Sequence, residues 1–222
     1  MPERLRIATC TLALGLLLCT AAVAPAQTPP PDGQFTPVVY QPSRAKGTPQ
    51  HGRLIGGVQL PEQGPDFFTW DSIYGLSPNR PWRRWGTGRL IALTLRVAGD
   101  YRLANTGAPR IGIEDISRPR GGNFGPRYGG LGHASHQNGL DVDIAYPRLD
   151  RQELGIGAPW QIDRLLAQDL VDRFEAAGAE YIFVGPHTGL DTSGPVVQRL
   201  ASHDDHMHVR IPKGLRSTAP TA

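Results

Sequence analysis

The strongest constraint on the fold comes from two short segments that alternate apolar side chains with charged or imidazole side chains. In the first, the apolar residues are Leu140, Val142 and Ile144, and the residues between them are Asp141 and Asp143. In the second, the apolar residues are Met207, Val209 and Ile211, and the polar ones are His206, His208 and Arg210. Successive side chains of a β-strand point to opposite faces. Each segment is therefore predicted to be a strand with one face on a core and one face of titratable groups.

Helical periodicity is clear in two other segments. Thr87 is placed to cap a helix running to about Leu103, and a second helix is predicted from about Gln161 to Ala177. Short strands are predicted at 111–116 and 181–185. Because helices and strands alternate irregularly and the sequence has no Gly-rich phosphate loop, we predict an α+β fold. Its expected form is a small antiparallel sheet flanked by helices and long loops.

The first residues have the three parts of a secretory signal peptide. Arg4 and Arg6 precede an apolar run at 7–23, and residues 24–26 form a small-residue cleavage site. The run is too short for a membrane anchor and no charged stop-transfer segment follows it. We predict a signal peptide at 1–26, no membrane span after its removal, and a periplasmic or secreted location at the cell wall.

The two cysteines, Cys10 and Cys19, both lie in this leader, so the mature protein is expected to have no disulfide. A lipid anchor at Cys19 is the alternative. Leu18 disfavours it, because a small residue usually precedes a lipidated cysteine.

Composition predicts the remaining domain organisation. Residues 27–52 are rich in Pro, Gly and Thr without an apolar period and are predicted to form an extended linker. Residues 53–212 suffice for one domain, and 213–222 are expected to be a flexible tail. Removal of the leader lowers the formal net charge from +3 to about +2, and with no basic run nucleic acid is not an expected partner.

Histidines are concentrated around the two alternating segments. Five of the seven lie there, namely His133, His136, His203, His206 and His208. Zinc binds imidazole and carboxylate, and a catalytic zinc has three protein ligands with the fourth position left for water. His136, Asp143 and one histidine of the 206/208 pair would supply three ligands, and the other histidine would reach the bound water. A polar strand edge with incidental histidines is the alternative interpretation.

The order of these residues resembles a known group of zinc peptidases. The spacing H-x6-D from His136 to Asp143, followed far downstream by H-x-H at 206–208, is similar to that of the lysostaphin, D-Ala-D-Ala peptidase and hedgehog-type fold. GHASHQNGLDVDI and H-x-x-HMHVRI resemble more closely the penicillin-insensitive murein endopeptidases. GRLIGGVQLP, RRWG and YIFV are also similar, so the resemblance extends from about residue 52 to 212.

This resemblance implies a zinc site with defined roles. The zinc ligands that it implies are His136, Asp143 and His208. His206 is implied to be the catalytic base or to stabilise developing charge, and His133 and His203 match additional active-site histidines of the family. Typical members carry several cysteines and a longer insert that could hold a second metal. The predicted mature chain has neither. We therefore expect one zinc per chain.

Three further residues are candidates near this site. Asp141 shares a strand face with Asp143 and is expected either to orient a histidine or to be a solvated or capping carboxylate. Arg118 and Arg120 precede His133 in a Gly-rich segment and, like Arg127 there, could hold a substrate carboxylate or carbonyl. An Arg has that role in related D-Ala-D-Ala peptidases, which favours Arg118 or Arg120. Ordinary surface arginines are the alternative.

The function that the resemblance implies is hydrolysis of peptide cross-links in peptidoglycan, at bonds of the D-alanyl-diaminopimelate type, with the peptide stems as substrate. A D,D-carboxypeptidase or dipeptidase of the same fold is the nearest alternative. A non-catalytic zinc module that binds cell wall and a metal-stabilised structural domain are the alternatives from other classes. An intact His206 favours an enzyme, because a binding module needs no base beside the metal.

Overall fold

The structure is a computed structural model that describes residues 34–125 and 133–214. Its helices are α1 (Gly88–Ala104) and α2 (Arg164–Ala176). Its strands are β1 (Arg44–Gly47), β2 (Gly52–Ile55), β3 (Val58–Gln59), β4 (Phe67–Thr69), β5 (Trp85–Gly86), β6 (Ile111–Ile113), β7 (Asp141–Ala145), β8 (Tyr181–Val184), β9 (Val197–Arg199) and β10 (His206–Arg210). No helix in these two ranges has the length and apolar character needed to span a membrane. The predicted signal peptide and most of the predicted tail lie outside the described residues.

The largest sheet in the described part of the chain has six strands, in the order β4-β6-β7-β10-β8-β9. The four central strands pair antiparallel, whereas β4 pairs with β6 and β8 pairs with β9 in parallel. The predicted α+β class is confirmed, but the prediction of an antiparallel sheet was wrong at both edges. Parallel neighbours need long connections, and here α1 and residues 185–196 provide them.

Both predicted helices are present, with ends set by side-chain caps. The Thr87 hydroxyl accepts a hydrogen bond from the Leu90 N–H and begins α1. The second helix begins later than expected, at Arg164, because Pro159–Gln161 form a separate 3₁₀ turn. Asp163 then caps α2. A hydroxyl or carboxylate at this position satisfies an otherwise unpaired backbone N–H.

Regular structure begins before the expected start of the fold. β1 lies in the segment predicted as a linker and pairs antiparallel with β2. The Ser43 hydroxyl accepts a hydrogen bond from the Gly88 N–H at 2.7 Å and so attaches this segment to the start of α1. Composition indicated no period here because a short two-stranded hairpin needs none.

The two alternating segments form neighbouring central strands, β7 and β10. Their apolar faces are buried in the main core through Leu140, Val142, Ile144, Met207, Val209 and Ile211. Their other faces are not solvated either, since Asp141, Asp143 and His208 are all nearly inaccessible. A buried carboxylate is costly unless it is paired. The polar face therefore needs partners, and the site supplies them.

Candidate metal centre

The register of β7 and β10 aligns the polar residues of the two strands. His208 lies opposite Asp143, and Arg210 lies opposite Asp141. His136 reaches the same face from the loop before β7, where its backbone has a φ of 63°. Its N–H donates to Asp141 Oδ2 at 2.8 Å. That bond holds a left-handed conformation that is unusual for a residue with a side chain.

Three donor atoms form a tight triangle on this face. Asp143 Oδ1 is 2.9 Å from His208 Nδ1 and 3.2 Å from His136 Nε2, and the two histidine nitrogens are 3.1 Å apart. Ligands of a tetrahedral zinc ion at about 2.0 Å would be separated by about 3.3 Å. The observed separations are a few tenths of an ångström shorter. The donor set therefore fits a small cation with modest outward adjustment.

The ring orientation of His136 is fixed by the backbone behind it. Its Nδ1 lies 2.7 Å from the Ile116 carbonyl oxygen, so Nδ1–H donates and Nε2 faces Asp143 with a lone pair. Burial lowers the pKa of His136, although Asp143 opposes that shift. Burial has the larger effect, so the lowered pKa favours a neutral imidazole whose acceptor nitrogen points into the triangle.

Asp141 is the second buried carboxylate of the face. One oxygen accepts from the His136 N–H and the other accepts from Arg210 Nε at 2.6 Å. That second oxygen is also 3.5 Å from His208 Nε2, a buried nitrogen that makes no hydrogen bond among the described residues. Burial alone would raise the pKa of Asp141, but His208, His136 and Arg210 hold it well below its ordinary value.

His206 and His203 lie on the side of the triangle towards the start of β10. His206 Nδ1 is 2.8 Å from Asp205 Oδ1, and its Nε2 is 3.9 Å from Asp143 Oδ1. Burial opposes protonation of His206, but the charge of Asp143 and the bond to Asp205 raise its pKa to about 10. The rings of His203 and His206 have centroids 4.9 Å apart. His203 Nδ1 is 3.0 Å from the Ala201 carbonyl oxygen.

His133 approaches the triangle at the other oxygen of Asp143, Oδ2. Donor atoms of His133, His136 and Asp143 all lie within 4.8 Å of one another, so these three could hold a metal ion. His133 Nδ1 is 3.6 Å from Asp143 Oδ2, a longer separation than those formed by His208. We therefore favour His208 as the third member of the donor set, with His133 as the geometric alternative.

The structure adds buried groups that sequence reasoning missed. Asp115 accepts from His133 Nε2 at 2.7 Å and forms an ion pair with Arg83, and Glu114 lies beside it in the chain. Burial raises the pKa of Glu114 to about 8, while nearby His206 opposes the shift. The alternation in IGIEDI gave a signal for a strand, but nothing in that segment indicated contact with a histidine.

The two candidate arginines lie in the segment that follows β6. Arg118 Nη1 donates to the Asn123 carbonyl oxygen at 2.5 Å, and Arg120 is exposed. Arg127, from the same Gly-rich segment, lies outside the described residues. A role for Arg118 or Arg120 in substrate binding stays a prediction.

The fold and site together define an α+β domain that carries a buried His/Asp donor group on the polar face of its central strands. A model of the family described as penicillin-insensitive murein endopeptidase matches residues 45–175 of this chain. The match covers more than half of the sequence, and the chain belongs to this family. The matched range includes His133, His136 and Asp143 and ends before β10.

Individual relatives agree with this assignment. The penicillin-insensitive murein endopeptidase of Pectobacterium atrosepticum is 33% identical over 172 residues, which are 78% of this chain and 53% of the relative. That of Yersinia enterocolitica is 30% identical over 166 residues, or 75% of this chain and 53% of the relative. That of Haemophilus influenzae is 31% identical over 116 residues, which are 52% of this chain and 33% of the relative. The chain spans about half the length of the first two relatives.

Proposed function

We propose that this protein is an exported zinc peptidase that hydrolyses peptide cross-links of peptidoglycan. The observation that carries the proposal is the triangle of donor atoms from His136, Asp143 and His208, with separations of 2.9–3.2 Å. Membership of the family, and the name of its relatives, support murein as the substrate. The predicted signal peptide supports a location at the cell wall.

The proposed ligands of a single zinc ion are His136 Nε2, Asp143 Oδ1 and His208 Nδ1. The backbone carbonyl of Ile116 behind His136 and the carboxylate of Asp141 beside His208 are the kind of outer partners that ligating histidines usually have. Without a cation, the charges of Asp141 and Asp143 raise the pKa of His208 to about 9 despite burial. A dication in the triangle would reverse this balance and displace the proton.

Bound zinc would lower the pKa of a water molecule towards about 7 and polarise a scissile carbonyl. His206 is the proposed base. Asp205 accepts the proton of Nδ1. The charge of Asp143 raises the pKa of His206, and a dication bound to Asp143 would oppose that shift and leave Nε2, which faces the site, as the acceptor. A proton taken at Nε2 can later be delivered to the leaving amine, and a positioned proton carrier of this kind contributes roughly 10²–10⁴-fold to the rate.

Asp141 and Arg210 are proposed as positioning residues. Arg210 neutralises Asp141, and Asp141 holds the His136 backbone and lies 3.5 Å from His208 Nε2. This arrangement favours the orienting role for Asp141 over the solvated alternative, since the residue is fully buried. Three residues remain candidates for contact with substrate, namely His203, Arg118 and Arg120. The proposed site of cleavage is the D-alanyl-diaminopimelate bond.

The decisive experiment is digestion of purified cross-linked murein, with the fragments identified by mass spectrometry. The protein should release uncross-linked muropeptides, a chelator should abolish that release, and added zinc should restore it. His51→Ala is a suitable control, because this exposed histidine lies outside the site and should not alter either result.

Each alternative predicts a different outcome. Release of terminal D-alanine alone would identify a D,D-carboxypeptidase, and binding of murein without any cleavage would identify a non-catalytic module. Full activity after complete removal of metal would show that the triangle does not act through zinc.

A further inference from the structure

Asp115 and Arg83 form a buried ion pair beside the triangle. Arg83 donates to both oxygens of Asp115, and each residue is almost completely inaccessible. Asp115 also accepts from Asn79 Nδ2 at 3.1 Å and from His133 Nε2 at 2.7 Å. A buried ion pair is rarely worth more to stability than an apolar pair of the same size, because desolvation offsets the attraction. Its presence here is better explained by the histidine that it contacts.

The pair is held rigidly from both ends. The Arg83 guanidinium packs against two neighbouring aromatic rings, 5.1 Å from the Trp82 centroid and 5.0 Å from the Phe124 centroid. At the other end, the Asp115 carbonyl accepts from the Asp143 N–H at 2.9 Å. Asp115 is thereby fixed directly to the strand residue that lies in the triangle.

Phe124 packs against the histidine as well. Its ring meets the His133 ring edge-on, with centroids 5.2 Å apart. One aromatic residue therefore contacts both the guanidinium that holds Asp115 and the imidazole that Asp115 binds. Small rotations of His133 would break the carboxylate bond or this ring contact, so the imidazole has one well-packed orientation.

This arrangement determines which nitrogen of His133 carries the proton. Arg83 donates to both oxygens of Asp115, and this paired guanidinium keeps the buried carboxylate ionised. An ionised carboxylate only accepts, so His133 Nε2 must be the donor. Arg83 Nη2 is also near Nε2, at 3.3 Å, but an unprotonated Nε2 would place its lone pair 2.7 Å from an ionised carboxylate oxygen, which is repulsive. In the neutral ring, Nδ1 is then the acceptor, and it faces Asp143.

We propose that Asp115, held by Arg83, is a positioning residue that fixes His133 as the Nε2–H tautomer and so presents the Nδ1 lone pair to the site. His133, which is near Asp143 Oδ2 whereas His206 is near Oδ1, is then a second reacting histidine, able to accept a hydrogen bond from water or substrate. The proposal deepens and rests on the proposed peptidase function. Its first test, however, needs no substrate.

That first test is the tautomer of His133 in the zinc-loaded wild-type protein. Long-range ¹H–¹⁵N correlation spectra of histidine-labelled protein distinguish protonated from unprotonated ring nitrogens, and the spectrum of His133→Gln assigns the signal. We expect a proton on Nε2 and none on Nδ1. A proton on Nδ1, or on both nitrogens, would overturn the proposal whether or not the protein cleaves murein.

The second test is Asp115→Asn, whose amide can donate to Nε2 and reverse the tautomer. We expect kcat to fall by about 10–100-fold, the usual effect of removing an outer partner, with bound zinc and KM little changed. The His133 spectrum should switch to the Nδ1–H form. A merely structural role for Asp115 would lower the melting temperature without moving that signal. An unchanged kcat with a switched tautomer would overturn the role of His133.

Asp71→Asn is the matched control. Asp71 is equally buried and is held by Arg80 through two bonds, of 2.5 Å and 3.2 Å. Its remaining bonds go to the backbone N–H groups of Ile73 and Tyr74. This variant should lose comparable stability but keep kcat and the His133 spectrum. If wild-type protein shows the expected tautomer and no variant or condition gives hydrolysis, the peptidase function fails while the tautomer assignment stands.

Discussion

Two histidine–carboxylate pairs flank Asp143, and they are built in different ways. In the buried pair, Asp115 and His133, the carboxylate is inaccessible and is held by Arg83. In the exposed pair, Asp205 and His206, the carboxylate side chain is 58% exposed and is adjacent to its histidine in the chain. The carboxylates bind opposite ring nitrogens, Nε2 of His133 and Nδ1 of His206. In both cases the other nitrogen is directed to the site.

The difference in burial has a physical consequence. A carboxylate that is buried in the interior fixes one tautomer of the histidine that it binds, because reorienting the carboxylate would leave buried charges unpaired. A solvated carboxylate can exchange its histidine for water at little cost. The exposed pair is therefore suited to a histidine that gains and loses a proton in each turnover. The buried pair is suited to a histidine that keeps one orientation.

The largest expected effect comes from the residue that both pairs face. Asp143→Ala should lose most of the bound zinc and lower kcat/KM by about 10³-fold or more, because a three-ligand site cannot spare one and a metal supplies several kcal/mol. Elemental analysis and muropeptide hydrolysis on the same sample measure both quantities. Undiminished zinc would remove Asp143 from the ligand set and would point instead to the histidines alone.

The next largest effect should come from the histidine of the exposed pair. His206→Ala should keep its zinc and its fold but lose about 10²–10⁴-fold in kcat, the usual range for a proton carrier. Its residual rate should increase more steeply with pH, since hydroxide must replace the missing base. His208→Ala, by contrast, should lose zinc and activity together. Wild-type turnover by His206→Ala would show that the base lies elsewhere, and His133 would be the first candidate.

The carboxylate of the exposed pair should matter less than that of the buried pair. Asp205→Asn should lower kcat by about tenfold or less, at the low end for an outer partner of an active-site group. Water can replace its carboxylate at His206 Nδ1, whereas nothing can replace Asp115 in the interior. Steady-state kinetics of Asp205→Asn and Asp115→Asn in parallel test this order. Equal losses would show that burial is not what distinguishes the two pairs.

The parts of this site that could be predicted from sequence are those determined by local geometry. Alternation along a strand placed Asp141 with Asp143 and His206 with His208, because residues two apart share a face whatever the rest of the fold does. The apolar halves of the same segments identified the central strands of the core. His136 was a candidate ligand because of its residue type and its resemblance to a known spacing, since a loop residue follows no strand period.

The missed parts depend on contacts between distant segments. Asp115 is 18 residues from His133 and 32 from Arg83, and no periodicity relates them. The parallel edges of the sheet were missed for the same reason, since alternation does not reveal the direction of a neighbouring strand. Asp205 was visible beside His206, but adjacent strand residues point to opposite faces. It contacts His206 because it precedes β10 and does not follow the alternation.

The smallest expected effect concerns His203, which lies on the side of the exposed pair but has no carboxylate partner among the described residues. Its Nδ1 is near the Ala201 carbonyl oxygen, and its ring packs against Phe183 at a centroid distance of 5.9 Å. Burial lowers its pKa, which makes a charged role in turnover unfavourable. His203→Gln should therefore change kcat by about threefold or less, in contrast to His206→Ala.

Separate measurement of kcat and KM for His203→Gln distinguishes a role in substrate binding from a role in the reaction. An increase in KM alone would mean that the ring contacts bound substrate without taking part in the reaction. A fall in kcat comparable to that of His206→Ala, with zinc retained, would contradict the prediction. The exposed side would then contain two reacting histidines, and a carboxylate partner would not be what distinguishes a reacting histidine from a packing one.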